Sequence, residues 1–328
     1  MKKIVLAIAA VCLTVFVCLS SEEPVKPNRF TDSDAPFASP ALTVKYASRD
    51  TCDLCLDFYP AADSSVREID GHSKPAIIFA FGGGFIGGER NRPHYRQWIK
   101  VLNDEGYPVF SVDYRLGLKG QDTRGLKMIT ATRKAIEIGV EDVFAATAYI
   151  IDNAGEFGVD PGNLVISGSS AGAIIALQSE YELCNDFTDI TAVLPDGFHY
   201  SGVISFSGAI YSTHGKVAYA EEPCPQLLMH GTADKVVDYK QIKIFRLGFF
   251  GSSKIVERLK KFGYEYNIIR YEGHGHDIAD NMYYTLPDQL RFLETNVTRK
   301  IRRNADVLVD DPDVPAVKAV ASLKELYN

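Results

Sequence analysis

The chain carries no excess of positive charge. Its 35 Lys and Arg residues are outnumbered by 42 Asp and Glu, which gives a net charge of −7 at pH 7. Proteins that bind nucleic acid concentrate Lys and Arg where they neutralise phosphates. One basic run, at 299–303, is soon balanced by Asp310, Asp311 and Asp313, and we interpret both runs as a solvated tail. No nucleic-acid partner is therefore expected.

Long apolar runs are missing, apart from one at the start of the chain. The segment from Ile4 to Leu19 is almost unbroken apolar sequence, with lysines before it and Ser20, Ser21 and acidic residues after it. This pattern predicts a signal peptide over 1–21 and an exported protein, periplasmic or secreted. The run is shorter than a membrane span of about 20 residues. Membrane attachment is expected only under an alternative, in which Cys18 becomes the lipidated first residue of a lipoprotein.

Cysteine is scarce, and two of the six cysteines fall within the predicted signal peptide. An exported protein can form disulfides among the other four, and the three complete pairings stay open. Cys52 and Cys55 have the spacing of a redox motif. They lie in an alternating, strand-like run, where residues three apart point to opposite faces, which favours structural cysteines. Cys184 and Cys224 are a further candidate pair.

Internal repeats, low-complexity segments and Pro/Gly/Ser-rich linkers are also absent, so one main domain is predicted. We divide the chain into a signal peptide (1–21), an N-terminal arm (22–41), the main domain (42–297) and a C-terminal extension (298–328). Within the main domain, apolar runs at 75–81, 108–112, 163–167 and 266–271 suit buried strands, and they alternate with segments of helical spacing at 95–104, 144–153, 171–180 and 254–262. This alternation predicts an α/β fold, a mainly parallel central sheet with helices on both faces.

The pattern Gly-x-Ser-x-Gly occurs where one of these strands meets a helix. Gly168 and Gly172 flank Ser170, with a strand-like run before them and small residues of helical character after them. In this context the pattern predicts a nucleophile elbow, a sharp turn that exposes the central serine at the carboxyl edge of the sheet. Ser170 is thus the candidate nucleophile, and Ser169 is the competing hydroxyl.

A second glycine-rich segment, Gly82-Gly83-Gly84, follows the apolar run at 75–81. Acyl transfer places negative charge on a carbonyl oxygen, and glycines leave backbone N–H groups free to point at that charge. The segment is therefore the candidate oxyanion loop. A plain flexible loop remains the alternative for the glycine run taken alone.

A serine nucleophile needs a base and an acid that orients the base, in the chain order Ser, Asp, His. Asp234 follows a strand and is the candidate acid. After the last strand, Gly273-His274-Gly275-His276-Asp277 offers two histidines. His199, His214 and His230 lie elsewhere and are interpreted as surface or packing residues.

The chain resembles the α/β-hydrolase esterases of the hormone-sensitive-lipase and bacterial feruloyl-esterase-like group. The resemblance extends over 42–297 and rests on Phe81-Gly-Gly-Gly-Phe85, Asp113-Tyr-Arg-Leu116, Gly158-Val-Asp-Pro161, Gly168-Ser-Ser-Ala-Gly172, His230-Gly-Thr-Ala-Asp234 and Gly275-His-Asp277. It implies an α/β-hydrolase fold, Ser170 as nucleophile, Asp234 as acid and His276 as base. It also implies an oxyanion hole formed by the N–H groups of Gly83, Gly84 and Ala171, without cofactor or metal. Phe81 stands where the group commonly has His, and the segment before it is short for a helical cap.

Three rival interpretations remain open. His274, His276 and Asp277 resemble a metal cluster, although a second cluster of matching spacing is missing. A non-catalytic binding protein and a serine peptidase can both share the fold. Esterase chemistry would imply a small-molecule or saccharide ester as substrate, with short acyl, acetyl or feruloyl groups. Its pocket would be lined by loops at 181–199, 214–224 and 244–253; the aromatic residues of the last segment either line an apolar pocket or pack against the following helix.

Overall fold

A computed structural model describes residues 36–63, 66–122, 126–312 and 314. The predicted signal peptide, Cys18, most of the N-terminal arm and the end of the C-terminal extension lie outside the described residues. Within the described ranges, no helix combines the length and apolar character that crossing a bilayer requires. The four described cysteines carry free thiols.

The described chain alternates strands and helices over most of its length. The strands are β1 (Leu42–Arg49), β2 (Cys52–Tyr59), β3 (Glu68–Ile69), β4 (His72–Ser73), β5 (Ala76–Ala80), β6 (Val109–Val112), β7 (Leu164–Ser169), β8 (Gly202–Phe206), β9 (Ala209–Ser212), β10 (Gln226–Gly231), β11 (Gln241–Ile244), β12 (Leu247–Gly251), β13 (Asn267–Tyr271) and β14 (Ala305–Val309). The α-helices are α1 (Pro93–Asp104), α2 (Leu126–Asp152), α3 (Ala154–Phe157), α4 (Ala171–Leu183), α5 (Ser252–Phe262) and α6 (Leu286–Phe292). Single 3₁₀ turns cover Asp189–Val193 and His276–Ala279, and a π-helical turn, Leu293–Thr298, follows α6.

The main sheet contains nine strands in the order β1-β2-β6-β5-β7-β8-β10-β13-β14. Strands β1 and β2 are antiparallel to their neighbours, and every pairing from β6 to β14 is parallel. All residues of β5, β6, β7, β8 and β10 are buried, as expected for central strands covered on both faces. Helices flank the sheet. The predicted α/β class is confirmed.

Helix packing brings distant parts of the chain against the central strands. Helix α4 contacts β7 and β8 and packs along α2. On α1, the buried Trp98 ring lies 5.0 Å from the Phe79 ring of β5, and its Nε1 donates a 2.7 Å hydrogen bond to Gln289 of α6. These contacts fix the ends of β5 and β7, from which the two glycine-rich segments leave the sheet.

Two features of the fold lie outside the sequence predictions. Strand β14 pairs with β13 in parallel and adds a ninth strand from residues that we assigned to a solvated C-terminal extension. Its Asp306 forms ion pairs with Lys260 and Arg270, so part of the supposed tail is anchored to the folded body. A separate three-stranded sheet, β11-β12-β9, was not predicted, and its strand β12 lies in the segment 244–253 that was expected to be a loop.

Candidate active site

Ser170 occupies a strained turn between β7 and α4. Its backbone has φ = +51°, a conformation that residues other than glycine rarely adopt. The neighbouring glycines are required by close packing: a Cβ on Gly168 would lie 2.2 Å from the Gly172 carbonyl oxygen, and one on Gly172 would lie 2.0 Å from that of Ala80. The Ser170 N–H donates to the Phe206 carbonyl at 2.9 Å. The turn therefore presents a partly exposed serine at the carboxyl end of β7.

Ser170, His276 and Asp234 form one hydrogen-bonded line. The Ser170 Oγ lies 2.7 Å from the His276 Nε2, and the His276 Nδ1 lies 2.7 Å from the Asp234 Oδ2. Asp234 follows β10, and His276 begins the 3₁₀ turn after β13. Because β7, β10 and β13 are parallel members of one sheet, their carboxyl ends share an edge, and three residues that are far apart in sequence meet there.

The Asp234 carboxylate is held in a fixed orientation. Its Oδ1 accepts hydrogen bonds from the N–H groups of Val236 and Val237 at 2.8 and 3.1 Å, which leaves Oδ2 facing His276. Burial alone would raise the pKa of this carboxyl, but the charges and hydrogen bonds of His276 and His230 outweigh it and hold the pKa well below its usual range. Asp234 therefore stays ionised at neutral pH.

The pKa of the His276 ring depends on the same pairing with Asp234. Burial favours the neutral ring and lowers its pKa, whereas the charge and hydrogen bond of Asp234, together with the charges of Asp280 and Asp277, raise it. The net pKa lies above the ordinary value of about 6.5. A base with a raised pKa accepts a proton from a hydroxyl more readily than an isolated imidazole does.

His230 is a neighbour of this line that the sequence analysis treated as a packing residue. It is fully buried, its Nε2 donates to the Val237 carbonyl at 2.9 Å and it lies 3.2 Å from the Asp234 Oδ2. Its Nδ1 lies 2.8 Å from the Ser252 hydroxyl. His230 thus packs, as predicted, and it packs against the candidate acid, Asp234. In the sequence, the four-residue spacing in His230-Gly-Thr-Ala-Asp234 was the signal that could have indicated this contact.

His274 pairs with Asp277. Its Nδ1 contacts the Asp277 Oδ2 at 2.7 Å, while the Gly275 N–H donates to the Asp277 Oδ1 at 2.8 Å. Both ring nitrogens of His276 are engaged by Ser170 and Asp234, so His274, His276 and Asp277 do not present one set of converging ligand atoms. In the described part of the chain, the group that does so is Glu180, Cys184 and His199, at another place.

The glycine-rich segment after β5 lies directly against the elbow. A Cβ on Gly82 would lie 3.0 Å from the Ser169 Oγ and 3.4 Å from the Ser170 Cβ. Gly83 and Gly84 have φ values of +145° and +62°, which turn the chain sharply beside Ser170. Ala171 is the first residue of α4, where N–H groups have no partner within the helix. The N–H groups of Gly83, Gly84 and Ala171 donate to no other described residue.

Two tyrosines support this segment. Phe81, just before the glycines, stands where the related group commonly has a histidine. The buried Tyr95 hydroxyl accepts a 3.0 Å hydrogen bond from the Gly82 N–H. The Tyr114 hydroxyl donates to the Phe81 carbonyl at 2.8 Å, and the Tyr114 ring stacks on Phe81 at 4.4 Å. Phe81 therefore changes how the loop is supported, and Asp113-Tyr-Arg-Leu116 contributes one of the supports.

The aromatic residues of 244–253 belong to the small sheet. Phe250 is buried in the core, and Phe249 packs on Tyr211 at 5.1 Å. Phe245, at the turn between β11 and β12, is 85% exposed. These aromatic residues are therefore better described as packing residues than as the lining of a pocket. The segment packs against β9 as well as against the following helix.

Comparison with known proteins shows what this chain is similar to. Residues 63–210 match the family model BD-FAE, a span that includes the glycine-rich segment and Ser170. The chain is similar to fumonisin B1 esterase of Sphingopyxis macrogoltabida, with 31% identity over 110 residues, 33% of this chain and 20% of that one. It is also similar to phenmedipham hydrolase of Pseudarthrobacter oxydans, with 27% identity over 158 residues, 47% of this chain and 27% of that one. The matches thus cover 20% and 27% of the length of these two relatives.

A solved structure shares the fold over most of this chain. A thermophilic esterase from Thermogutta terrifontis matches with a TM-score of 0.56 and 21% identity, over 81% of this chain and 96% of that one. At this identity the likeness concerns the fold. The shared fold is that of an α/β-hydrolase, and the family model and the relatives confirm that the chain is similar to the hormone-sensitive-lipase and feruloyl-esterase-like group.

Proposed function

We propose that the protein is a serine carboxylesterase that works through an acyl-enzyme. The observation that carries the proposal is the line from Ser170 through His276 to Asp234, with bonds of 2.7 Å at both junctions. Nucleophile, base and orienting acid within hydrogen-bond reach are the geometry that activates a serine hydroxyl. Named esterases among the similar proteins favour an ester substrate.

The acylation step assigns one task to each residue. The Ser170 Oγ attacks the ester carbonyl carbon while His276 Nε2 takes the hydroxyl proton. Asp234, ionised and fixed by two backbone N–H groups, stabilises the imidazolium that forms. The carbonyl oxygen becomes an oxyanion, which the N–H groups of Gly83, Gly84 and Ala171 stabilise. His276 then gives its proton to the departing alcohol, and the acyl group remains on Ser170.

Deacylation repeats the sequence with water in place of serine. His276, neutral again, takes a proton from water as the water oxygen attacks the acyl-enzyme carbonyl. The same N–H groups stabilise the second oxyanion. Collapse of the intermediate releases the carboxylic acid and returns the proton to the Ser170 Oγ. All proton transfers pass through one imidazole.

The substrates we propose are esters of short acyl, acetyl or feruloyl groups on small-molecule or saccharide alcohols, met outside the cytoplasm. Two features support the acyl size. Among the described residues before β5 there are strands and turns but no α-helix that covers the site, and Ser170, Gly83 and Gly84 are partly exposed. The export proposal rests on the apolar run at 4–19, with lipidated Cys18 as its alternative.

We expect kcat/KM to peak at acyl chains of about two to four carbons. Each buried methylene contributes about 0.8 kcal/mol only where a groove receives it, and one methylene changes discrimination by about 1–3 kcal/mol. The measurement is kcat/KM for p-nitrophenyl esters of increasing chain length, beside feruloyl and acetylated-sugar esters, with Ser170→Ala protein as the blank. A steady rise to chains of about ten carbons or more would identify a lipase instead.

The pH profile provides a second test of the proposed base. Only neutral His276 accepts the serine proton, so kcat/KM falls as the pH drops through the pKa of His276 in the free enzyme. Because that pKa is raised, mainly by Asp234 against the effect of burial, the acid limb is expected above about pH 6.5. Asp234→Asn removes the raising charge and should move the limb of the residual activity to lower pH. A limb at or below the ordinary imidazole value, unmoved by Asp234→Asn, would contradict the assignment.

A further inference from the structure

A second cluster of reactive side chains lies at the opposite end of α4 from Ser170. Glu180 is on the helix, Cys184 is its C-cap residue and His199 precedes β8. One ligand atom from each lies within 4.8 Å of the other two. Glu180 is ten residues beyond Ser170, which corresponds to about 15 Å along a helix axis. The proposed catalytic steps use none of these residues.

Glu180 is the unusual member of the cluster. Its side chain is fully buried, and its Oε2 receives no hydrogen bond from any described residue. Its Oε1 accepts from the Cys224 N–H at 2.9 Å and from the Cys184 thiol at 3.5 Å. His199 is its ion-pair partner, and no described Lys or Arg pairs with it. A buried carboxylate is costly unless it is paired with a cation or coordinates a metal.

We propose that Glu180, Cys184 and His199 bind a divalent ion of the zinc class. Carboxylate, thiolate and imidazole are the donor types that zinc takes in proteins, with bonds of about 2.0–2.3 Å. In a tetrahedral site these bonds place neighbouring ligand atoms about 3.3–3.8 Å apart. The Glu180 Oε1 lies 3.5 Å from the Cys184 Sγ and 3.3 Å from the His199 Nδ1, so these two pairs of donor atoms already have this spacing. Water fills the fourth position from the side of His199, which is 32% exposed.

The other nitrogen of His199 supports the same assignment. Its Nε2 lies 3.3 Å from a carboxylate oxygen of Glu221, an exposed residue. A histidine that binds metal through one nitrogen usually donates its other N–H to a carboxylate or carbonyl, which fixes the tautomer. His199 thus has Nδ1 toward the cluster and Nε2 toward an outer carboxylate.

Binding exchanges protons for the metal. Burial, reinforced by the charge of Glu180, raises the pKa of the Cys184 thiol, so the thiol keeps its proton without a metal. The hydrogen bond to Glu180 raises the pKa of His199, which favours a proton on the ring beside the carboxylate when no metal is bound. The ion replaces the thiol proton and any proton on Nδ1, and the bound cation, carboxylate and thiolate sum to zero charge. The ion would join the end of α4 to the segment before β8.

Zinc binding to the reduced full-length protein tests the proposal, with Co²⁺ as a spectroscopic probe. We expect about one Zn²⁺ per chain by metal analysis, a melting temperature that rises with zinc concentration, and a thiolate-to-cobalt absorption band. Cys184→Ser should remove the band, whereas Cys55→Ser should keep it. Ser170→Ala should keep both the band and the zinc, which separates this site from the proposed catalytic residues.

Because Cys184→Ser sits in the core, an exposed variant provides the second arm. Glu221→Gln should weaken zinc binding by about 10–100-fold, the usual effect of losing an outer partner of a metal-bound histidine. Its sequence neighbour Glu222, which pairs with Arg302, is the matched control, and Glu222→Gln should change nothing. The proposal is overturned if the reduced protein shows no saturable binding, or if Cys184→Ser and Glu221→Gln bind as the parent does. A Cys184–Cys224 disulfide in the protein as isolated would also overturn it, because that bond removes the thiolate ligand.

Discussion

Ser170→Ala is expected to lower kcat for ester hydrolysis by about a million-fold, the loss that removal of the serine causes in a related triad mechanism. The Ser170 Oγ is the only atom of the line placed to form the acyl bond, and alanine leaves His276 and Asp234 with nothing to activate. The measurement is single-turnover and steady-state hydrolysis of p-nitrophenyl acetate. The melting temperature should stay near that of the parent, because Ser170 is partly exposed and its Oγ has His276 as its one partner among the described residues.

Ser169→Ala is the matched control at the adjacent position. The Ser169 Oγ is buried and donates to the Ala279 carbonyl at 2.8 Å, so it braces the turn that carries His276. Losing one such bond costs about 1 kcal/mol, which is less than tenfold in rate even if the whole cost falls on the transition state. If Ser169→Ala lost activity and Ser170→Ala kept most of it, the nucleophile would be Ser169.

Local patterns were sufficient to predict the elbow. The pattern Gly-x-Ser-x-Gly takes up five residues. It predicts an elbow where it lies between a strand-like run and a helix of small residues. The geometry explains the composition, because a Cβ on Gly168 or Gly172 would lie 2.2 or 2.0 Å from a backbone carbonyl oxygen, far inside van der Waals contact. Where sterics of this severity fix residue type, sequence predicts structure well.

The edge strand and the small sheet could not be predicted in this way. Strand β14 has mostly exposed side chains, and Val307 and Leu308 are 41% and 57% exposed, so it lacks the apolar signature of a buried strand. It is held by backbone pairing with β13 and by Asp306 contacts to Lys260 and Arg270. Strands β9 and β12 pair across about forty residues of sequence, and the local hairpin of β11 and β12 does not reveal β9 as the other partner of β12. Long-range pairing of this kind depends on the fold already formed.

The choice between two histidines required geometry as well. His274 and His276 are separated by one glycine, and both are followed closely by Asp277, so composition and spacing treat them alike. In the structure Asp277 pairs with His274, and Asp234, forty-two residues earlier, pairs with His276. The resemblance to known esterases favoured His276, and the hydrogen bonds now supply a physical reason for that choice.

His276→Ala is expected to lower kcat about as much as Ser170→Ala, by about a million-fold, because a serine hydroxyl without its base is a weak nucleophile. The two losses act on one unit, so the double variant Ser170→Ala/His276→Ala should be no slower than either single variant. Hydrolysis rates of the three variants, measured at equal concentrations of folded protein, test this non-additivity. Losses that multiplied would mean that the two residues act separately.

His274→Ala separates the role of base from the structural role of the turn. His274 contacts Asp277, and Asp277 also receives the Gly275 N–H that shapes the approach to His276. Removing the His274 ring leaves that N–H bond in place, so the turn should persist and substantial activity should remain. The acid limb of the pH profile should also stay where it is in the parent, since Asp234 is untouched. The reverse ranking, with His274→Ala inactive and His276→Ala active, would move the base to His274 and leave the 2.7 Å contact between Ser170 and His276 without a catalytic task.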